Sequence, residues 1–272
     1  LTSTKSGRVA VLQLANRLTR PHGIILVTGP TGSGKTTSLY AALTRINTSE
    51  INILTIEDPV EYQLPGIGQM QVNDKIEFTF ARGLRAILRQ DPDVVLIGEI
   101  RDRETAEIAV QASLTGHLVF ATLHTNDAAS SFTRLIDMGV EPFLLSSSVI
   151  FCMAQRLIRR LHAPCKVAYR PLRHELEQLG ISPDDVQDVK FYRAGGCEQC
   201  RTGYQGRMGI YELLQVNDDI KALVTQKADS TRIKRVAVQG GMRTLRDDGA
   251  MKVLQGSTSV EEVMSETAED RA

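Results

Sequence analysis

The chain has 272 residues, 42% of them apolar, 5% aromatic and none tryptophan, which is globular composition sufficient for one large domain or two smaller ones. Acidic and basic residues balance at 32 each, so no broad basic surface is implied and nucleic acid is not the expected partner. Apolar runs are strand-sized and no signal peptide is present, which argues against a membrane-spanning helix and against export.

Residues 1–20 read as the end of a helix, with apolar side chains at Val11, Leu12, Leu14, Ala15 and Leu18, broken by Pro21-His22-Gly23. The apolar, β-branched run 24–27 has strand composition. It leads into Gly29-Pro30-Thr31-Gly32-Ser33-Gly34-Lys35-Thr36, a GxxxxGK[ST] phosphate-binding loop, and the stretch from Thr37 continues as a helix. Gly29, Gly32 and Gly34 let backbone N–H groups turn inward, where they and the positive helix N-terminus cradle phosphate oxygens. Lys35 is placed to reach the β- and γ-phosphates, and the Thr36 hydroxyl to ligate Mg2+.

Residues 51–56 read as a second strand ending in Glu57-Asp58-Pro59-Val60-Glu61, followed by a loop with Pro65, Gly66 and Gly68. An Arg-rich helix is expected over 78–90, a third buried strand over 93–97 and a helix over 102–115. A fourth strand over 116–124 precedes helices over 127–138 and 142–160. Strands alternating with helices predict an α/β fold with a parallel sheet covered on both faces. The alternation stops near residue 161. The stretch 162–212 holds three of the four cysteines, scattered glycines and a polar insert, and 217–265 is helical in pattern with a break at Gly240-Gly241. A polar, frayed tail is expected from Ser265. The expected division is 1–160, 161–212 and 213–272.

Hydrolysis at a phosphate loop needs carboxylates for the metal and for the attacking water. Gly98 stands where the third strand would ordinarily end in an acid, and the acid is Glu99, long enough to reach the metal through water; the plainer reading is a surface glutamate. Glu57 ends another strand, and ligands in open α/β sheets gather at the carboxyl ends of strands. That puts Glu57, Asp58 and Glu61 on the edge that carries the phosphate loop. Glu57 can orient or deprotonate water, and Asp58 can equally cap a turn. His117 and His124 bracket the fourth strand; His124, at its carboxyl end, is the one placed to contact a γ-phosphate, and either can be structural. Arg82, Arg85 and Arg89 share one helix face, and Arg101 follows Glu99 by two. Such a face is either solvated or a subunit interface at which arginine meets a neighbour's phosphate.

His162-Ala163-Pro164-Cys165 and Cys197-Glu198-Gln199-Cys200 are two x2-spaced pairs about thirty residues apart, the spacing of a structural zinc site of Cys3His type. In a reducing cytosol such residues hold metal rather than form disulfides, although a reduced, metal-free knuckle has the same spacing. Cys152 stands alone in an apolar segment.

From Arg20 to Met264 these pieces together resemble the secretion ATPase family of type II secretion systems and type IV pili. RPHGIILVTGPTGSGKTT is similar to the family's Walker A region, TIEDPVEY to its Asp box and FARGLRAILRQDPDVVLIGEIRD to its atypical Walker B region. TGHLVFATLHTNDA is similar to the His box, GCEQC and GYQGRMGIYELL to the zinc-binding segment, and RDDGAMKVLQGSTSVEEVM to the C-terminal helices. The resemblance implies a RecA-like ATPase core, a small zinc-binding subdomain and C-terminal helices. It implies ATP with Mg2+ along Gly29 to Thr37, Glu57 activating water, Glu99 supporting the magnesium and His124 near the γ-phosphate. It implies nucleotide or subunit contacts for Arg85, Arg89, Arg101, Arg134 and Arg207, and Zn2+ on His162, Cys165, Cys197 and Cys200. The family normally has four cysteines there, and His162 replaces the first.

The wording FARGLRAILRQDPD and QASLTGHLV is closest to the type II secretion branch, whose ATPases power pseudopilus assembly. The extension ATPases of type IV pili share every catalytic box and are the alternative. A non-hydrolysing nucleotide-sensing scaffold is opposed by the complete set of carboxylates, and a nucleic-acid translocase by the neutral charge. The resemblance further implies a cytoplasmic homo-hexamer, peripherally attached to inner-membrane secretion platform proteins through an upstream domain. Because the chain starts at Leu1, we expect that domain to be missing and the isolated monomer to hydrolyse weakly.

Overall fold

The structure, a computed structural model, describes residues 22–267. Strand β1 (Gly23–Thr28) is buried along its whole length. Its pleat sends Ile24 and Leu26 into one core and Ile25 and Val27 into another. A strand that is apolar on both faces belongs inside a covered sheet. The main sheet contains β2 (Ile53–Glu57), β3 (Gly68–Gln71), β4 (Val94–Ile97), β5 (Leu118–Leu123), β6 (Val149–Leu161) and β9 (Tyr204–Gln215) in the order β3-β2-β4-β5-β1-β6-β9. All neighbours are parallel except β6 and β9. A separate antiparallel pair joins β7 (Val167–Tyr169) to β8 (Phe191–Arg193).

Parallel neighbours require crossover helices, and these cover both faces. Helix α1 (Lys35–Ile46) places Leu39, Tyr40 and Leu43 against the Ile25, Val27 and Phe120 face. On the other face α2 (Phe80–Ile87), α3 (Arg103–Leu114), α4 (Ser130–Asp137) and α5 (Pro142–Ser148) bury Leu84, Ala109, Phe132 and Leu145. The chain leaves β1 over α1 to reach β2, and β5 and β4 later fill the gap between those strands. The carboxyl ends of β1, β2, β4 and β5 therefore share one edge.

After the short α6 (Arg173–Gln178) come α7 (Asp218–Thr225), α8 (Ser230–Gln239), α9 (Leu245–Leu254) and α10 (Val260–Glu266). Side chains of Asn217, Asp229, Thr244 and Ser259 cap the last four and so divide the 217–265 helical pattern into separate helices. Their apolar faces, through Ile220, Ile233, Val253 and Val263, join the core beneath α2 to α5.

Three expectations are corrected. The helix expected over 142–160 stops at Ser148, and Val149–Leu161 is a strand. An apolar run suits a buried strand as well as a buried helix, and here pairing with β1 and β9 decides. The loop expected around Gly68 contains β3, a short strand formed by pairing with β2. Residues 204–212, expected in the zinc-binding segment, and 213–215, expected in the helical region, form β9, a strand of the main sheet. The helix expected over 1–20 lies outside the described residues. So does the end of the tail expected from Ser265, where α10 continues to Glu266. Among the described residues no helix is long and apolar enough to cross a membrane.

Candidate active site

Between β1 and α1 the chain turns through Gly29, Gly32 and Gly34, whose φ angles are 142°, 78° and 87°. At Gly29 a Cβ would stand 2.3 Å from the carbonyl oxygen of Gln155, so only glycine allows this approach of loop to β6. No side chain caps α1, so its positive N-terminus is open to an anion. Lys35 folds back over its own loop, donating to the carbonyl oxygens of Gly29 at 2.7 Å and Pro30 at 3.1 Å. Burial pushes its ammonium below the ordinary lysine range, against the opposing pull of Glu99. A bound phosphate would favour the charged form.

Glu57, the last residue of β2, is buried. Its Oε1 accepts from Thr55 Oγ1 at 2.6 Å and from Gln69 Nε2 at 3.2 Å, and its Oε2 accepts from the Tyr40 hydroxyl. Glu99 follows β4. Its Oε1 lies 3.0 Å from His124 Nε2, and its Oε2 accepts from Arg101 Nε at 2.6 Å. Arg101 also reaches Asp58 at 3.2 Å and lies over the Phe80 ring, 5.7 Å from its centre.

These groups border one cleft of about 850 Å3, a volume suited to a nucleotide. Its lining includes Thr31 to Thr37, Glu57, Asp58, Glu61, Tyr62, Glu99, Arg101, His124, Leu157 and Arg207. Other expected residues lie elsewhere. Arg85 pairs with Glu104 at 2.6 Å on the exposed side of α2, and Arg89 and Arg134 are exposed away from the cleft lining. His117, at the amino end of β5, sets Nδ1 2.9 Å from the Ala112 carbonyl and serves the turn after α3.

Sequence reasoning missed Gln155. This fully buried side chain on β6 donates to the Ser33 carbonyl at 2.8 Å and accepts from Ser38 Oγ at 2.8 Å, bracing the phosphate loop from behind. A lone glutamine in an apolar run was the available signal, hidden by reading that run as a helix. Tyr40 and Gln69, which hold Glu57, were missed as well.

The cleft can take a triphosphate against Lys35 and the α1 N-terminus. Thr36 and Glu99 line it with oxygen atoms that could hold a divalent cation, and Glu57 lines it with a carboxylate that could orient a water.

A second constellation lies beyond β6. The donor atoms of His162, Cys165, Cys197 and Cys200 all fall within 4.8 Å of one another. His162 Nδ1 is 3.3 Å from the Cys165 sulfur and 3.4 Å from that of Cys197, and Cys200 is 3.5 Å from each of those sulfurs. Four ligands around one zinc with bonds of about 2.3 Å stand roughly 3.7 Å apart, so the donor set fits zinc. Backbone N–H groups, that of Cys200 foremost, favour the Cys197 thiolate and bring it down to about 6. Cys152 is buried elsewhere, and burial pushes its thiol well above the ordinary range.

The sequence pattern of the family described as Type II/IV secretion system protein matches residues 4–265. The chain belongs to this family. It is 58% identical over 252 residues to Type II secretion system protein E of Pseudomonas aeruginosa, a match covering 92% of this chain and 50% of that protein. It is 53% identical over 253 residues to Type IV pilus assembly ATPase PilB of Thermus thermophilus, covering 93% of this chain and 28% of that protein. Among solved structures it is similar to the pilus retraction motor PilT with bound ADP, with a TM-score of 0.70 and 30% identity. That match covers 93% of this chain and 64% of the PilT chain. The expected α/β fold is thus the family's fold. The chain spans about half the length of the type II relatives it matches.

Proposed function

We propose that this protein is a Mg-dependent ATPase whose cleft cleaves the γ-phosphate of ATP to drive pseudopilus assembly in type II secretion. The observation that carries the reading is the convergence of Lys35, from the start of α1, with Glu57 and Glu99, from the carboxyl ends of β2 and β4, on one nucleotide-sized cleft. The names of the relatives supply the machine. Lys35 and the α1 N-terminus neutralise the β- and γ-phosphates, His124 serves the γ-phosphate, and Arg101 serves the nucleotide or a neighbouring subunit. Thr36 and Glu99 are the residues that would hold Mg2+, which would supply further charge neutralisation. Glu57 orients a water for in-line attack and takes its proton, as the bond from the γ-phosphorus to the bridging oxygen breaks.

The working form is a homo-hexamer in the cytoplasm, attached to inner-membrane platform proteins. Arg85, Arg89 and Arg134, which lie away from their own cleft, serve subunit contacts, and Arg207 at the cleft rim serves the nucleotide or the neighbour. A zinc-held segment on His162, Cys165, Cys197 and Cys200 stands between β6 and β9 of the ATPase sheet, and the helices α7 to α10 follow it. A type IV pilus extension ATPase is the second reading, favoured by the 53% identity to the pilus assembly relative.

Phosphate release by the full-length assembled protein tests the reading. We expect turnover that Lys35→Ala abolishes; equal turnover in that variant overturns it. Deletion separates the machines, with lost export expected here and lost pili for the second reading.

A further inference from the structure

Glu57 is 3% exposed, and a buried carboxylate must find donors. It finds three: Thr55 beside it on β2, Gln69 on β3 and Tyr40 on α1. A carboxylate has about four lone-pair sites, so one remains, on a residue that borders the cleft. Two of the donors come from elements with other duties. Tyr40 lies in the second turn of the helix that the phosphate loop begins. Gln69 Nε2 lies 3.2 Å from each of Glu57 Oε1, the Tyr40 hydroxyl oxygen and the Tyr62 carbonyl, while its Oε1 accepts from the Leu64 N–H at 2.6 Å. Gln69 thereby fastens the 62–64 segment to the same carboxylate. Tyr62, which borders the cleft, packs edge-on against the Tyr40 ring with centroids 4.7 Å apart. Burial and the Glu57 charge push the Tyr40 hydroxyl far above the ordinary tyrosine range, so it stays a donor at working pH.

We infer that Tyr40 and Gln69 are positioning residues for Glu57: they occupy its other lone pairs and aim the remaining one at the attacking water. They also tie that aim to the phosphate-binding helix, so that the carboxylate and the phosphate cradle move as one body. The inference rests on the ATPase reading above. Thr55 adds a third donor from the same strand, but it does not link Glu57 to another element.

Tyr40→Phe keeps the ring and its packing and removes only the hydroxyl. In the full-length assembled protein kcat is expected to fall about 10- to 100-fold, the scale of a misaimed catalytic group. Affinity for a fluorescent ATP analogue stays within about threefold of wild type, since ground-state contacts are untouched. Gln69→Leu gives the same split. In a Glu57→Gln background Tyr40→Phe adds no further loss, because there is no carboxylate left to aim. Wild-type turnover that Lys35→Ala abolishes and Tyr40→Phe leaves unchanged overturns the positioning role alone. A Tyr40→Phe loss that appears equally in nucleotide affinity, or that persists in the Glu57→Gln background, overturns it in favour of packing. A wild type without turnover overturns the ATPase reading and the positioning role with it.

Discussion

The phosphate cleft and the His/Cys cluster are assembled in opposite ways. The cleft draws on residues from Thr31 to Arg207, carried by the phosphate loop, the start of α1, the ends of β2, β4 and β5, and the strands β6 and β9. Several of its charged groups have partners within the protein, as when Glu99 takes both His124 and Arg101. The cluster sits on two turns beside a two-stranded sheet, and its four donor groups have mainly one another. A lone pair of strands is marginal in water. The hydrophobic core thus sets the cleft whether or not nucleotide is present, whereas at the cluster the proposed zinc would add its own hold on the geometry.

The contrast can be broken at either region. Lys35→Ala should cost at least about 10³-fold in turnover, since it removes the central cation of a preorganised site, while the melting temperature holds or rises. The direction of the stability change follows from burial: an ammonium pushed below its ordinary range by desolvation is a group the fold hosts at a cost. Metal removal should do the reverse. Chelation, or Cys197→Ser, should open the 162–203 segment to amide hydrogen exchange and leave nucleotide affinity within about twofold. Protection of that segment unchanged by chelation would show that the fold alone holds the cluster.

Gln155→Leu probes the border between core and cleft. It leaves the Ser33 carbonyl and the Ser38 hydroxyl without their buried partner, at a cost of about 1–3 kcal/mol. We expect a weaker nucleotide affinity, by roughly 5- to 100-fold, in equilibrium titration. Arg85→Ala is the mildest change. Its pair with Glu104 is exposed, so folding stability should shift by at most about 1 kcal/mol in denaturant titration. Its effect should appear in sedimentation as weaker assembly.

What was legible in the sequence follows the same divide. Glu57, Glu99 and His124 were found because each follows an apolar strand-like run, and a parallel sheet brings carboxyl ends to one edge. The cluster was found by spacing alone, since two short turns carry all its ligands. Strand β6 was hidden, because its residues 149–154 are continuously apolar and only pairing with β1 and β9 distinguishes strand from helix. Gln155 was lost with it. Strand β3 was hidden because Gly66 and Gly68 read as a turn, and its partner β2 supplies the order. For Arg85 and Arg89, helical spacing shows that they share a face but not what that face meets.

The central claim is that Glu57 acts on water in a cleft whose nucleotide grip lies elsewhere. Single-turnover cleavage by a Glu57→Gln variant of the full-length assembled protein tests it most directly. The account predicts that the variant binds ATP as tightly as the wild type and leaves it uncleaved over many wild-type turnover times. Cleavage at the wild-type rate would contradict it.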